Sequence, residues 1–429
     1  MDDERSHKIT SSSQLPSSTL ADLRRRLNRL GVVSGREFIS RPPARPCMAI
    51  EALVPGQVYE TASGPCFQLT HLYAPDTQHG SFRLTDWLDQ DSALLSLVGG
   101  NEVFGLADIR RLIFLDVETT GLGIGGALAF LVGVGFFNTD GQFEIRQWFL
   151  RDPAEEHAML ELLLETLQPA AGLVTFNGRN FDVPILTSRC ILSRRSAPLS
   201  NLPNLDLLPP ARRLWRRRLY SCALRVLEAE VLGVRRSHAD VPGYLIPSLY
   251  QDYLRTGDAR EMVRVLYHNE IDILSMVVLG AAVSKAAMRP ADPSLPADDR
   301  IGLARWYFSQ QMYSQCEAAY RSVINETVDL QTRYEALYGL ASLLKSLGRR
   351  HEAVPLWISL ADLRIDTLAH EELAKYYEWH MVDLPLALSW TEAGISLAET
   401  WKPGPRRVQT LSALYHRRQR LRNKLTGYR

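Results

Sequence analysis

Two acidic residues, Asp116 and Glu118, follow directly on the apolar segment 112–115. Because alternate side chains of a strand point to the same face, the two carboxylates would project together from the end of a buried strand. A water-exposed pair at a strand end is the simpler alternative. Unpaired anions beside a buried strand would be costly, however, so the pair favours the binding of a divalent cation.

Asp182 and the pair His268 and Asp272 could join this site. Asp182 stands after the apolar segment 172–176, where a helix is predicted to begin, and a carboxylate there can also serve as a helix cap. His268 and Asp272 are four residues apart in a segment predicted to be helical, so they share one helix face. That spacing suits a metal ligand and a neighbour that handles a proton, although a single histidine is more often structural. Glu270, between them, is predicted to be solvated.

At these residues the sequence resembles the DEDD superfamily of ribonuclease H-like 3'-5' exonucleases. The first family motif, D-x-E followed by T-T-G-L, stands at 116–122, and the second, N-G-x-x-F-D-x-P, at 177–184. The third motif, Y-N-x-x-D, stands at 268–272, with His268 at the tyrosine position and Tyr267 one residue earlier. More narrowly, the sequence resembles the bacterial predicted exonucleases whose ribonuclease H-like domain precedes tetratricopeptide repeats. Three motifs in this order are far more specific than any one of them.

The resemblance covers roughly residues 105–285 and implies a metal-dependent nuclease, a 3'-5' exonuclease. Two Mg²⁺ or Mn²⁺ ions, about 3.5 to 4 Å apart, would be held by four carboxylates, those of Asp116, Glu118, Asp182 and Asp272. One ion, shared by Asp116, Glu118 and Asp272, would activate water with help from His268. The other, near Asp116 and linked to Asp182 through water, would stabilise the leaving 3' oxygen. The choice between His268 and Tyr267 as the water-activating residue stays open.

Several residues are candidates for contact with nucleic acid. The resemblance implies such contacts for residues within its motifs, namely Thr119, Thr120, Leu122, Asn177 and Phe181. A separate segment, 211–218, contains five arginines around Leu214 and Trp215, and the arginines that we expect to bind phosphate are Arg212, Arg213, Arg216 and Arg217. The alternative for this segment is a solvated helix face with Leu214 and Trp215 buried beneath it.

The elements that must position these residues form an α/β pattern. Three apolar segments ending near residues 118, 137 and 149 predict three consecutive antiparallel strands, and Asp152 is expected to cap a helix that ends at Leu167. With a further strand and several helices, the pattern predicts a ribonuclease H-like mixed sheet with flanking helices over residues 105–288. Residues 1–48 are predicted to hold a disordered segment, a short helix between Ser18 and Gly31, and a linker, and residues 49–104 to form a β-rich lead-in.

After a proline-rich linker at 289–298, the sequence repeats at an interval of 34 residues, which aligns Ala319, Ala353 and Ala387. This interval, with Gly348 at a turn, is typical of tetratricopeptide helix pairs and predicts an all-α repeat domain over 299–400. Such repeats commonly bind a protein partner. The last segment, 401–429, contains nine Lys and Arg and no acid, so it could bind nucleic acid or cap the last repeat.

Other functional classes are less well supported. The segment 121–126 matches the dinucleotide-binding pattern G-x-G-x-x-G, but the residues after it read as a strand, whereas that pattern must open a helix. A non-catalytic nucleic-acid-binding or scaffold protein with a vestigial nuclease fold remains the main alternative. The longest apolar stretch, 127–137, is too short to span a membrane, and neither a signal peptide nor a C-x-x-C pair is found, so we expect a cytoplasmic protein without a membrane segment. DNA or RNA, single or double strand, and exonuclease or endonuclease stay open.

Overall fold

The computed structural model describes residues 46–90, 92–99, 108–121, 126–324, 326 and 329–427. The short helix predicted between Ser18 and Gly31 and the nucleic-acid contact predicted at Leu122 lie outside these residues. The region from Met48 to Arg429 forms one compact unit.

A seven-stranded mixed sheet forms the first part of this unit. The strands of the described residues, of which all but β3 and β4 belong to this sheet, are β1 (Gln57–Thr61), β2 (Gly64–Tyr73), β3 (Gln78–His79), β4 (Phe82–Arg83), β5 (Leu112–Thr119), β6 (Ala129–Phe137), β7 (Phe143–Phe149), β8 (Gly172–Thr175) and β9 (Asn204–Asp206). Their order in the sheet is β1-β2-β7-β6-β5-β8-β9, and β3 pairs separately with β4. β8 is parallel to β5 and β9, whereas the other neighbours are antiparallel. The predicted ribonuclease H-like mixed sheet, with three consecutive antiparallel strands, is confirmed.

The segment predicted as a separate β-rich lead-in contributes to the same sheet. β2 pairs with β7 along seven residues, from Phe67 opposite Phe149 to Tyr73 opposite Phe143. The tight connection between β1 and β2 adds β1 as the edge strand. Residues 57–73 therefore belong structurally to the same sheet as β5 to β9.

Helices cover both faces of the sheet. They are α1 (Ser92–Gly99), α2 (Glu156–Leu167), α3 (Asp182–Leu192), α4 (Leu208–Trp215), α5 (Leu224–Leu227), α6 (Ile246–Thr256) and α7 (Arg260–Met288). The side chain of Asp152 accepts a hydrogen bond of 2.8 Å from the Ala154 amide at the short 3-10 turn before α2, so the predicted cap is present.

The long helix α7 packs closely against β6 because two strand positions lack a side chain. A Cβ atom added to Gly133 would stand 2.1 Å from Asn269 Oδ1, and one added to Gly135 would stand 2.6 Å from Ile273 Cγ2. Glycine within a strand often marks such a close approach of another element. The two glycines thus let α7 lie directly beside the strand that pairs with β5.

By length and composition alone, α7 is also apolar enough to cross a membrane. The apolar window of this helix is 78% buried within the protein. Ile273, Met276 and Val277 lie in the hydrophobic core together with Phe114 of the sheet. Core packing therefore accounts for its apolar composition.

The second part of the unit is entirely helical, as predicted. Its helices are α8 (Ala297–Ser309), α9 (Tyr313–Ile324), α10 (Leu330–Ser346), α11 (Arg350–Asp362), α12 (Leu368–Trp379), α13 (Leu384–Glu399) and α14 (Pro405–Leu425). The aligned alanines Ala319, Ala353 and Ala387 are fully buried, each in the second helix of a consecutive pair. Gly348 has a left-handed φ of 77° at the turn between α10 and α11. Assignment of these hairpins to the tetratricopeptide type stays a prediction.

The first helical hairpin packs on α4 of the sheet domain and forms ion pairs with residues of the segment just after α4. Arg217, just after α4, forms an ion pair of 3.0 Å with Asp298 and another with Glu335. Arg218 pairs with Asp299 at 3.0 Å. Gly302 of α8 lies so near α4 that an added Cβ would stand 2.6 Å from the carbonyl oxygen of Arg213. The two parts therefore share one continuous interior.

Candidate active site

Asp116 and Glu118 lie in the last half of β5, where the sheet changes its register. The pairing with β6 shifts between Glu118 and Thr119, an irregularity of the kind that often re-aims side chains beside functional sites. Asn269 of α7 donates a hydrogen bond of 2.8 Å to Asp116 Oδ2. Gln147 in turn donates 2.7 Å to Asn269 Oδ1, which fixes the direction of the Asn269 amide. The orientation of Asp116 is thus set from two neighbouring elements.

Asp182 occupies the first turn of α3, as predicted, and faces β5. The backbone amide of Val117 in β5 lies near its carboxylate and lowers its pKa, against the effect of burial. The loop before it passes close by, since a Cβ added to Gly178 would stand 2.7 Å from Asp182 Oδ2. Asp206 at the end of β9 holds this loop by accepting 2.8 Å from the Asn177 amide. The loop therefore places Asp182 beside the carboxylates of β5.

His268 and Asp272 share one face of α7, and the ring of His268 lies among the acids. His268 Nε2 is 3.6 Å from Asp272 Oδ2 and 3.9 Å from Glu118 Oε1. The hydroxyl of Tyr267 instead accepts a hydrogen bond of 3.2 Å from the Ser237 amide. Of the two neighbouring residues, His268 is therefore the one whose side chain reaches the carboxylates.

Two buried residues that the sequence analysis did not single out complete the site. Asp240 Oδ1 lies 2.7 Å from His268 Nδ1. Arg236 donates to Asp272 and, at 2.6 Å, to Glu228. The contact of Asp240 with His268 joins residues 28 positions apart, so local sequence patterns do not reveal it.

The four predicted carboxylates interact electrostatically with one another. Burial raises the pKa of Asp116 well above its usual range, and the nearby Asp272 and Asp182 add to the effect. Burial likewise raises the pKa of Glu118, with further contributions from the same three acids. The pKa of Asp182 is raised by burial to about 7, and that of Asp272 is raised by burial although Arg236 and His268 oppose it. This cluster holds more negative charge than its neighbours neutralise.

The donor set suits a hard divalent cation, but its members are engaged with protein partners. Within the described residues, no group of three or more His, Cys, Asp or Glu side chains is already arranged so that it could coordinate a metal ion. Asp116 is bonded to Asn269, and Asp272 to Arg236. Carboxylate oxygens are the ligands that Mg²⁺ and Mn²⁺ prefer, and a bound cation would favour the ionised form of these acids. The residues therefore fit such ions, provided that Asp272 loosens its contact with Arg236.

The predicted nucleic-acid contacts fall into two groups. Within the motifs, Thr119 donates 2.8 Å to the Gly121 carbonyl, Thr120 accepts 3.0 Å from the Leu128 amide, and the side chain of Phe181 is exposed beside Asp182. Among the arginines, Arg212, Arg213 and Arg216 are exposed, and Arg213 also lies over the ring of Trp306 at 5.6 Å. Arg217 is half-buried and binds the helical hairpins.

Comparison with known proteins agrees with this fold. A family model described as the RNase H superfamily matches residues 113–284, which include all four carboxylates. The uncharacterized protein YprB of Bacillus subtilis (strain 168) is 33% identical over 292 residues, or 67% of this chain and 70% of that protein. The chain therefore belongs to the RNase H superfamily.

Proposed function

We propose that this protein is a divalent-metal-dependent 3'-5' exonuclease. Membership of the RNase H superfamily indicates a nuclease. The observation that carries the finer proposal is the meeting of Asp116, Glu118, Asp182 and Asp272, from three separate elements, in one half-buried cluster whose charges interact. Such a cluster is unfavourable by itself and becomes favourable when cations bind.

When bound, two Mg²⁺ or Mn²⁺ ions would neutralise the carboxylates and polarise the scissile phosphate. The residues of the chain have distinct tasks around them. The four carboxylates hold the ions, and Asn269 keeps Asp116 turned towards the cluster. His268 Nε2 takes a proton from the attacking water as the P–O3' bond breaks. Hydrolysis at the terminal phosphodiester releases a nucleotide from a 3' end.

We infer the residues that contact the substrate from the side chains that are exposed to solvent near the site. The ring of Phe181 can stack on a base next to the reacting phosphate, since it adjoins Asp182 and is 38% exposed. Arg212 and Arg216 are placed to contact the phosphate backbone farther along the strand. The helical hairpins supply the surface for a protein partner.

A degradation assay with matched DNA and RNA oligonucleotides tests this proposal. We expect 5'-labelled strands to shorten stepwise from the 3' end with Mg²⁺ or Mn²⁺ and to remain intact with EDTA. A blocked 3' terminus should prevent the reaction, whereas an endonuclease would still cleave. Asp116→Asn should abolish degradation, and the matched control Asp140→Asn, in the exposed turn between β6 and β7, should retain it.

A non-catalytic nucleic-acid-binding scaffold is the second candidate. The ion pair between Arg236 and Asp272 favours it, because that pair already supplies one cation to the cluster. The same assay separates the two functions. Binding without degradation under every metal condition, unchanged by Asp116→Asn, would support the scaffold and overturn the exonuclease.

A further inference from the structure

We propose that Asp240 is a positioning residue that holds the imidazole of His268 with Nε2 directed at the carboxylate cluster. The proposal rests on the proposed nuclease function and deepens it. His268 is the one histidine that faces the cluster among the described residues, and its other ring nitrogen is engaged by Asp240.

The geometry places the two ring nitrogens in different surroundings. Nδ1 lies 2.7 Å from Asp240 Oδ1, and the Asp240 side chain is only 2% exposed. Nε2 lies 3.6 Å from Asp272 and 3.9 Å from Glu118. Both separations exceed a hydrogen bond, so Nε2 has no direct partner among these acids and remains open to a water molecule.

The chemistry of Asp240 fixes the tautomer of the ring. An ionised carboxylate only accepts hydrogen bonds, so its contact of 2.7 Å with Nδ1 calls for a proton on that nitrogen. Arg236 Nη1, which can only donate, lies 3.2 Å from the same nitrogen, and the shorter contact with Asp240 favours the Nδ1–H tautomer. In the neutral ring, Nε2 then carries the lone pair. The cation of Arg236, 3.4 Å from Asp240 Oδ1, favours the ionised carboxylate.

Asp240 is itself held firmly. Arg264, one turn before His268 on α7, donates 2.9 Å to the Asp240 carbonyl and 3.1 Å to that of Ala239. Three residues later the same loop passes Nε2, because a Cβ added to Gly243 would lie 3.8 Å from that atom. One short loop therefore binds Nδ1 through Asp240 and passes the Nε2 side with a glycine, which leaves that side without a bulky neighbour.

This arrangement supports the proton transfer. When water attacks phosphorus, one water O–H bond breaks, an Nε2–H bond forms, and the P–O3' bond breaks. The leaving O3' takes a proton from solvent. The positive charge that develops on the ring is balanced by Asp240 through the Nδ1–H bond.

A double-mutant cycle between Asp240→Asn and His268→Ala tests the proposal with the full chain. We expect Asp240→Asn to lower kcat about 10- to 100-fold with KM changed less than about threefold. In the His268→Ala background, the same substitution should cost less than about threefold. Glu228→Gln is the matched control, since Glu228 is an equally buried partner of Arg236 that does not contact His268. The effect of the control should be the same with and without His268.

Independent effects of Asp240→Asn and His268→Ala would overturn the positioning role. A second measurement, the ¹⁵N shifts of His268 in ¹⁵N-histidine-labelled protein, does not need activity. We expect the Nδ1–H tautomer in the wild type and its loss in Asp240→Asn but not in Glu228→Gln. An unchanged tautomer in Asp240→Asn would also overturn the proposal. Absence of degradation by the wild type, with the tautomer as expected, would contradict the nuclease function alone.

Discussion

His268 connects a buried carboxylate on one side of its ring with the acidic cluster on the other. Removing the ring should therefore affect turnover more than substrate binding. We expect His268→Ala to lower the rate of degradation about 10²- to 10⁴-fold. The comparison is Tyr267→Phe, which removes a hydroxyl that holds the Ser237 amide and should cost far less.

Initial rates at saturating oligonucleotide check this prediction. A loss under about threefold for His268→Ala, together with a large loss for Tyr267→Phe, would transfer the water-activating role to Tyr267.

The acidic cluster should make the stability of the metal-free protein depend on pH. Burial raises the pKa of Asp182 to about 7 from its ordinary value of 3.8. Between these values the folded state binds more protons than the unfolded state, so the free energy of unfolding falls as the pH rises and stays low above about 7. Thermal melts in EDTA should therefore show a lower Tm at pH 8 than at pH 5.

Asp182→Asn cannot ionise, so the fall in Tm between pH 5 and pH 8 should become smaller by a few degrees. Asp140→Asn should keep the wild-type slope. Mn²⁺ should raise Tm mainly at the higher pH, where the carboxylates are free of protons. A Tm that is higher at pH 8 than at pH 5 in EDTA, or equal slopes for Asp182→Asn and the wild type, would contradict the assignment.

Local sequence rules indicate where the acids lie in their strands and helices, but not which residues hold their side chains. Strand alternation and helix spacing are local rules, and they placed Asp116, Glu118 and Asp272 correctly relative to their elements. Asn269 and Arg236 act through contacts with distant parts of the chain, which no local period encodes. A polar residue among the apolar positions of α7 was the available indication for Asn269.

Among the elements, the pairing of β6 with α7 depends on the two glycines of the strand. Gly133→Ala would push a methyl group into Asn269 and Ile273. We expect a loss of stability of about 1–3 kcal/mol from overpacking and a loss of activity as Asn269 moves away from Asp116. Gly126→Ala is the control, because a Cβ at that position meets no atom of the described residues within 4 Å.

Urea unfolding and the degradation rate together check this prediction. Equal stability of Gly133→Ala and Gly126→Ala would show that α7 does not need the close approach.

The central strands were predictable because each carries a continuous apolar segment bounded by turn residues. The place of β1 and β2 was not predictable, because β2 pairs with β7 across the intervening residues 74–142. Only the tertiary structure decides which sheet edge receives such a hairpin.

At the level of the whole molecule, we expect Arg217 and Arg216 to have different roles. The ion pairs of Arg217 contribute to stability, and Arg216 contributes to substrate binding. Arg217 joins α4 to two helices of the hairpins, whereas its neighbour Arg216 is exposed. We expect Arg217→Ala to lower the free energy of unfolding by about 1 kcal/mol, a modest value because the pairs are partly exposed. Arg216→Ala should leave stability unchanged and weaken oligonucleotide binding.

Urea unfolding and binding titrations at several salt concentrations measure both effects. Arg216→Ala should reduce the salt dependence of binding, since one phosphate contact is lost. The reverse pattern, with Arg216→Ala unstable and Arg217→Ala impaired in binding, would contradict this division of tasks.

The contacts between the first hairpin and α4 contribute to stability. They also fix the position of the hairpins relative to the sheet. Phe114 in the sheet and Leu337 in α10 belong to one uninterrupted apolar interior. A protein bound to the hairpins would consequently be held at a constant distance and angle from the acidic cluster. The number of hairpins, and not a flexible linker, would then set the distance between the bound partner and the nucleotide that the protein hydrolyses.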